Sequence, residues 1–233
     1  MQVYEITVRI YLPENIKVSD MQGAISHFID SYLNKNEVFA KFHQEKIPKC
    51  YTMDLPYPIE RGMCEYKGDS IYQFRIRTIK EELSSYLLSG IAKHSTEEIK
   101  GLVRTVKVIP HKHIASVFSL TPVVLINAEG KGYWRDIMTF SEYEEMLKKS
   151  IIHQYEVCTG ERVEQDCTLY DQIELKNKCA IGIPYKRIKL LGDKLSMRIS
   201  DNDTAQRIAY YLLGSGVGSK GSRGFGFLGY KFL

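Results

Sequence analysis

The stretch Gly214-Ser-Gly-Val-Gly-Ser-Lys-Gly-Ser-Arg-Gly-Phe-Gly-Phe-Leu-Gly-Tyr230 decides the fold, because several glycine-rich patterns compete for it and each belongs at a different place in a fold. Gly216, Gly218 and Gly221 fit the G-x-G-x-x-G of a dinucleotide site, which must follow a strand and open a helix. Here a predicted helix precedes the stretch and a predicted strand follows it. A Walker A loop needs Gly-Lys-Ser/Thr, whereas Lys220 is followed by Gly221. Both nucleotide-binding patterns are therefore excluded.

A third pattern is the RNP1 signature of an RRM, which residues 223–230 nearly match with Leu228 in place of valine. In an RRM this signature lies on the third strand, with a helix and a strand still to come. Only three residues follow Tyr230 in the sequence. The position of the signature therefore argues against a standard RRM, although the residues of the segment still suit RNA binding.

The first half of the chain alternates between strand and helix patterns. Apolar residues alternate with polar ones over residues 4–12, which predicts a half-buried strand. Ser19 and Gln22 form an S-x-x-Q capping box that opens a helix. Strands near residues 50–55 and 72–77, a helix at 80–88 and a strand at 102–109 follow. The order βαββαβ is typical of a ferredoxin-like domain.

The second half repeats the order. It predicts strands at 117–127, 178–191, 194–200 and 225–232, with helices at 141–155 and 201–213. Gly192-Asp193 would join the two middle strands, and Gly214 would cap the last helix. The fold class is α+β, with two tandem ferredoxin-like (RRM-like, βαββαβ) domains. We place the N-terminal domain at residues 1–112 and the C-terminal domain at 113–233.

Composition limits the function classes. The 233 residues are 44% hydrophobic and carry a net charge of +4, so a folded core and an anionic partner are both compatible with the sequence. None of the five cysteines is spaced as CxxC, which predicts neither a disulfide framework nor a zinc site and fits a reducing cytoplasm. No signal peptide and no long apolar run occur, so no membrane partner is expected.

A helix, a glycine-rich loop ending in Gly-Phe-Gly and a final short strand resemble the C-terminal hallmark of the RAMP superfamily. Within it the chain resembles the Cas-six family of CRISPR-associated, repeat-cleaving endoribonucleases. A second segment supports this resemblance, since His43 and the run Lys49-Cys-Tyr-Thr52 match the pattern that follows helix one in the family. In the loop, close glycines let backbone N–H groups approach phosphates. The candidate RNA-binding residues of the loop are Gly216, Gly218, Lys220, Gly221, Arg223 and Gly224.

The resemblance implies a metal-independent endoribonuclease that processes CRISPR precursor RNA at its repeats. In the family a ribose 2′-hydroxyl attacks the adjacent phosphate, which leaves 5′-hydroxyl and 2′,3′-cyclic phosphate ends. The reaction needs a base, an acid and a cation. His43 would move a proton and Lys49 would stabilise the phosphate charge. Tyr32 or His27 of helix one would supply the third group, as in some family members. No metal or other cofactor is expected.

Several features leave alternatives open. Basic residues on the predicted hairpin of the second domain would contact an RNA stem or protect a sheet edge; they are Lys186, Arg187, Lys189, Lys194 and Arg198. Trp134 would stack a base or pack at a domain edge. His111 and His113 lie in the predicted linker without a third metal ligand, which favours a solvated stretch.

Competing functions also remain. A non-cleaving RAMP subunit that binds guide RNA in an effector complex is the alternative to the enzyme, and a generic RRM-like protein is disfavoured by the position of residues 223–230. CRISPR repeat RNA is the expected partner. The sequence leaves open whether other CRISPR effector subunits or a second copy of the chain, as a homodimer, bind as well. It also leaves open the repeat sequence.

Overall fold

A computed structural model of the chain describes residues 1–45, 47–59, 62–126, 133–164, 167–185 and 188–233, with the side chain of His43 left out. In the first half the elements are β1 (Tyr4–Leu12), β2 (Ile16–Lys17), α1 (Val18–Leu33), α2 (Glu37–Gln44), β3 (Tyr51–Met53), β4 (Glu65–Tyr66), β5 (Ser70–Thr78), α3 (Glu81–Gly90) and β6 (Lys100–Val108). In the second half they are β7 (Ile114–Ser119), α4 (Trp134–Ile137), α5 (Phe140–Thr159), β8 (Tyr170–Leu175), β9 (Ile181–Tyr185), β10 (Ile188–Gly192), β11 (Leu195–Ile199), α6 (Asp203–Ser215) and β12 (Leu228–Phe232).

The first half folds around an antiparallel four-stranded sheet in the order β3-β5-β1-β6. Alternate residues of β1, such as Val8 and Ile10, are fully buried. Phe28 of α1 and Leu87 of α3 belong to the same core, together with Phe74 of β5. Burying this apolar face is the main source of the domain's stability.

The second half repeats the arrangement around a four-stranded sheet in the order β12-β7-β11-β8. Leu147 of α5, Leu212 of α6 and Val117 of β7 share its core. Strands β9 and β10 form a separate two-stranded hairpin inserted between β8 and β11. Both sheets therefore have the ferredoxin-like strand order, and the α+β class with two tandem domains is confirmed. We propose the domain boundary between residues 112 and 113, in the segment that joins β6 to β7.

The first middle strand of the second domain was predicted in the wrong place, whereas the strand predicted at 194–200 is β11. The stretch predicted as one strand over 178–191 forms the β9–β10 hairpin, and the sheet strand is β8, which the sequence analysis missed. Asp193 lies between β10 and β11, and its buried carboxylate accepts hydrogen bonds from Tyr133, Trp134 and Asn177 at 2.6–2.7 Å. Trp134 thus packs inside the second domain, with its ring stacked on Tyr143 at 4.3 Å.

Two predicted helix caps are also wrong. Lys17 is the N-cap residue of α1, so Ser19 lies inside the helix and no side chain caps its start. Gln22 instead donates to the carbonyl oxygen of Arg223 in the other domain at 2.5 Å. At the end of α6, Gly216 rather than Gly214 is the C-cap, because the helix continues through Ser215. At the start of α1, the long-range contact of Gln22 outweighs the local capping signal.

Arg77 of β5 joins the two domains. Its side chain is 1% exposed and donates to Glu5 and to the carbonyl oxygen of Leu228, both at 2.6 Å. The guanidinium also lies over the rings of Phe227 and Tyr230, at 4.3 and 5.3 Å. The face of the first sheet therefore packs directly against the segment that enters β12.

Cys50 and Cys158 form a disulfide, with Cα atoms 6.0 Å apart. This corrects the expectation that no cysteines pair. The two residues are separated by 108 positions, so local spacing could not reveal the pair. Cys64, Cys167 and Cys179 are not in disulfides. In the described ranges no helix is long and apolar enough to cross a membrane.

Candidate functional site

A cleft of about 480 Å³ lies between the domains. Its first wall is the segment from the end of α2 to β3, which includes Glu45, Lys49 and Tyr51. The facing wall comes from the second domain: His153 and Gln154 of α5, Tyr185 of β9, Tyr211 of α6, and the glycine-rich loop from Gly218 to Arg223. The two segments that the sequence singled out, 100 and more residues apart, therefore border one cavity.

The glycine-rich loop holds its shape through backbone hydrogen bonds. Val217 N–H donates to Gly226 O at 2.9 Å, and Ser219 N–H donates to Val124 O at 2.8 Å. Gly226 has a φ of 65°, and a Cβ there would lie 1.8 Å from the oxygen of Val217, so only glycine fits. Gly218 is similar, since its φ is 89° and a Cβ would lie 2.6 Å from Val124 O.

Part of this loop leaves its amides unpaired. Within the described part of the chain, no hydrogen-bond acceptor is recorded for the N–H groups of Lys220, Gly221 and Ser222, all of which line the cleft. Successive free amides beside a cavity are the arrangement that receives phosphate oxygens in backbone nests. Gly216 and Gly224 shape the two ends of the loop, with φ values of 77° and 81°.

Lys220 and Arg223 have different surroundings. The Lys220 ammonium lies 5.7 Å from the centre of the Tyr185 ring and lines the cleft. Arg223 forms an ion pair with Asp30 of α1, and both side chains are about four-fifths buried. Burial alone would lower the pKa of Arg223, but the hydrogen bond and charge of Asp30 raise it above its usual value. Arg223 thus ties the loop to the first domain.

Lys49 follows α2 in the segment that leads to β3. Its ammonium donates to the carbonyl oxygens of Phe42 and of Glu45, the latter at 2.6 Å, and lies 4.9 Å from the centre of the Phe42 ring. Burial lowers the pKa of Lys49, and the nearby Arg223 adds to this effect while Glu45 opposes it. Lys49 therefore both lines the cleft and holds the last turn of the helix that carries His43.

His43 lies in helix α2, a helix that the sequence pattern did not predict. Asn36 starts this helix, because its side chain accepts from the N–H groups of Val38 and Phe39 at 3.0 and 3.3 Å. The His43 side chain lies outside the described part of the structure. Its backbone precedes Glu45, which lines the cleft, by two residues.

The family described as "CRISPR associated protein Cas6, C-terminal" matches residues 104–230, which is more than half of the chain. The chain belongs to the Cas6 family. It is thus a RAMP-type, CRISPR-associated protein.

Solved structures agree with this fold over nearly the whole chain. A structure titled "CRISPR associated protein Cas6" has a TM-score of 0.67 at 16% identity and covers 98% of this chain and 99% of its own. One of a Cas6-related gene product from Pyrococcus furiosus has a TM-score of 0.68 at 18% identity, with 98% of each chain covered. A third, titled as a RAMP protein binding different RNA substrates, has a TM-score of 0.71 at 20% identity and covers 98% of this chain and 99% of that one. No curated protein matches the sequence.

The candidates on α1 do not reach the cleft of this Cas6 protein. Tyr32 is 6% exposed, and its hydroxyl donates to Tyr86 O at 3.0 Å and meets Ser89 Oγ at 3.1 Å. His27 is exposed on α1 and is not among the residues that line the cavity. Lys49 and the loop residues are therefore brought together, whereas Tyr32 and His27 lie elsewhere.

The basic residues of the second domain are spread over separate surfaces. Lys186 and Arg187 lie outside the described residues. Lys189 is exposed on β10, and a Cβ on Gly182 of β9 would meet its side chain at 2.0 Å. Arg198 lies on β11, is 63% exposed and is 3.7 Å from Asp171. It lines a different cavity on the sheet of the second domain, so it does not share a surface with the cleft.

Several residues of the cleft are not among the sequence-based candidates, including His153, Gln154, Tyr51 and Tyr211. His153 and Gln154 lie on α5, and the side chains of Tyr51 and Tyr211 are almost fully buried. Ser222 lies near the hydroxyl of Tyr51, and Ser215 lies near that of Tyr211. Burial raises the pKa of Tyr211 to about 12 and that of Tyr51 further still, so both hydroxyls remain protonated donors. Tyr51 lies within the run Lys49-Cys-Tyr-Thr52, but no local signal marks the other three positions, because only the packing of the two domains brings them into the cleft.

The remaining histidines and acidic groups do not suggest a metal site. His111 stacks on Tyr210 at 3.8 Å, and His113 lies 3.7 Å from Asp201. In the part of the chain that is described, no three His, Cys, Asp or Glu side chains cluster as metal ligands would. Glu45 is the one carboxylate among the described residues that line the cleft.

Proposed function

We propose that this Cas6-family protein is a metal-independent endoribonuclease that cuts CRISPR precursor RNA within its repeats. The observation that carries the proposal is the shared cleft, where Lys49 and the turn following His43 face the Lys220 ammonium and the free amides of the glycine-rich loop. Cations and N–H donors on facing walls form a receptor for a phosphodiester. Membership of the Cas6 family supports RNA of CRISPR repeats as that phosphodiester.

The proposed chemistry is an internal displacement. The 2′-oxygen of one ribose bonds to the adjacent phosphorus while the bond from phosphorus to the 5′-oxygen breaks, giving 2′,3′-cyclic phosphate and 5′-hydroxyl ends. His43 moves one of the two protons that this exchange requires. Two N–H groups of the Lys49 ammonium are bound to carbonyls, which leaves the third for a phosphate oxygen. Lys220 and the loop amides bind the same charged region.

The proposal predicts cleavage without divalent metal. We expect purified protein to cut repeat RNA at the same rate in EDTA as in Mg²⁺, because ammonium groups and amides supply the charge stabilisation. Product ends are identified by mass spectrometry, and RNA with a 2′-deoxy scissile nucleotide should not be cut. His43→Ala should bind RNA normally yet cut about 10²–10⁴-fold more slowly in single turnover. His27→Ala should lose far less, since this residue lies away from the cleft.

A strict requirement for Mg²⁺, or cutting of the 2′-deoxy RNA, would contradict the mechanism. The competing function is a non-cleaving RAMP subunit that binds guide RNA in an effector complex. The similar structure titled as a RAMP protein binding different RNA substrates favours it, as does the engagement of Lys49 with two carbonyls. Tight binding of repeat RNA by the parent protein, with no cleavage under any condition, would select this function.

A further inference from the structure

His153 is a titratable side chain in the cleft that the proposed mechanism does not yet use. It is exposed on α5 and lines the same cleft as Lys49, on the part that the second domain supplies. No recorded hydrogen bond or ion pair among the described residues involves its imidazole. A histidine in a cavity with free ring nitrogens is available to exchange protons with a bound molecule.

Two attachments fix His153 in place. The adjacent Gln154 donates to the carbonyl oxygen of Gly218 in the glycine-rich loop at 3.0 Å. One turn further along α5, Cys158 is bonded to Cys50, and its carbonyl oxygen accepts from Lys80 at 3.1 Å. The helix is therefore tied to the loop directly after this position, and to the first domain a little more than one turn further on. A side chain on such a supported helix is held more precisely than one on a loop.

The other described groups in the cleft are poorly suited to proton transfer. Lysine and arginine side chains remain protonated near neutral pH, and burial keeps the Tyr51 and Tyr211 hydroxyls protonated as well. Glu45 is an exposed carboxylate. Imidazole is the side chain that gains and loses a proton near neutrality. Of the cleft residues whose side chains are described, His153 is the one histidine.

The geometry of displacement requires two proton-transfer groups. The attacking 2′-oxygen and the leaving 5′-oxygen lie roughly in line on opposite sides of the phosphorus. One proton-transfer group must therefore approach from each side. α2, which carries His43, belongs to the first domain, and α5, which carries His153, belongs to the second.

We propose that His153 is the second proton-transfer residue of the cleavage reaction, acting from the wall of the cleft that the second domain supplies. The inference rests on the proposed endoribonuclease function. As the bond from the 2′-oxygen to phosphorus forms, one neutral imidazole takes the proton of the 2′-hydroxyl. As the bond to the 5′-oxygen breaks, the other imidazole, protonated beforehand, gives that oxygen a proton. Atoms and charges balance without a co-reactant, and Lys49 and Lys220 offset the charge on the phosphate.

The test compares His153→Ala with the parent protein and with His113→Ala, whose side chain lies outside the cleft beside Asp201. We expect His153→Ala to cut repeat RNA at least about 10²-fold more slowly in single turnover, with unchanged RNA affinity. Free imidazole added to His153→Ala should restore about tenfold or more of the rate, since it replaces the missing group in an exposed position. His113→Ala should behave as the parent does, with and without imidazole.

The outcomes separate the two proposals. A parent protein that does not cut overturns the proposed function and this inference with it. If the parent cuts and His153→Ala cuts within a few-fold of it, this inference alone is wrong. It is also wrong if His153→Ala loses rate and affinity together and imidazole restores nothing, because His153 would then bind RNA or support the fold.

Discussion

At the scale of single residues, Lys220 and Arg223 carry the same charge but have different roles. Both are basic residues of the same loop, and the sequence pattern predicted the same RNA-binding role for both. Lys220 has the Tyr185 ring beside it and lines the cleft. Arg223 is paired with Asp30, and its own carbonyl oxygen accepts from Gln22. The first is available to RNA, while the second is part of the contact between the domains.

This difference predicts opposite effects of two alanine substitutions. Lys220→Ala should weaken RNA binding and reduce the salt dependence of affinity by about one unit of slope, with an unchanged melting temperature. Arg223→Ala should lower the free energy of unfolding by about 2–3 kcal/mol, because Asp30 is left largely buried without its cation. Binding titrations at several salt concentrations and thermal melts measure both. Equal losses of stability in the two variants would contradict the division of roles.

At the scale of secondary-structure elements, α5 is the element that connects the cleft to both domains. Its start is fixed by a capping box, in which Thr139 accepts from Glu142 N–H and donates its own N–H to the Glu142 carboxylate. Its end is bonded through Cys158 to Cys50, the residue next to Lys49. The disulfide thus joins the helix of His153 to the segment of Lys49.

The disulfide can be checked directly. Alkylation of the unfolded, unreduced protein should label three cysteines, Cys64, Cys167 and Cys179, and reduction beforehand should raise the number to the full five. Reduction should also lower the free energy of unfolding by roughly 4 kcal/mol, since the bond closes a loop of about 100 residues in the unfolded chain. Cys179→Ala is the control, because it removes a thiol without affecting the bond. Five labelled cysteines before reduction would show that Cys50 and Cys158 are not joined.

The elements that could be predicted are those with a strong local pattern. The alternation over residues 4–12 gives β1 with its observed bounds, and the apolar stripe of α6 gives that helix to within two residues. β8 could not be predicted, because its side chains are exposed or half-buried throughout and no clear alternation of apolar and polar residues marks it. α2 could not be predicted, because eight residues are too few for the helical period of apolar residues to be recognised.

The candidate site divides in the same way. The glycine-rich loop and Lys49 carry a local signal, since glycine spacing and a short motif are visible in the sequence. His153 and Tyr211 carry none, because each becomes a cleft residue only when α5 and α6 pack against the first domain. The glycine-rich pattern predicted that Arg223 contacts phosphate, whereas Arg223 pairs with Asp30, which is 193 residues away in the sequence.

At the scale of the whole molecule, Arg77 couples the two domains. Its guanidinium is shared between Glu5 of its own sheet and Leu228 of the other domain, under the rings of Phe227 and Tyr230. Glu5 is 3% exposed, and Lys107 is its other partner at 3.0 Å. Burial raises the pKa of the Glu5 carboxyl, but Arg77 and Lys107 outweigh it and hold the pKa below its usual value. The ionised pair is therefore a fixed part of the interface.

Loss of this residue should uncouple the domains. We expect the parent to unfold in a single transition, and Arg77→Ala to be less stable by about 3–5 kcal/mol, since Glu5 would keep a buried charge without its main partner. The unfolding of the variant, followed by calorimetry, should separate into two transitions. Arg9→Ala, an exposed arginine of the same sheet, is the control and should change little. A single transition at the parent's midpoint for Arg77→Ala would refute the coupling.

Arg77 also has a consequence for synthesis of the protein on the ribosome. Leu228 is translated 151 residues after Arg77. At 5–20 residues per second, the nascent first domain waits roughly 8–30 s for its interface partner. During that interval the face that will be covered is open to water. Arg77, already bound to Glu5, keeps the centre of this face polar and hydrated. An apolar side chain in its place would expose a hydrophobic patch and promote aggregation of the nascent chain.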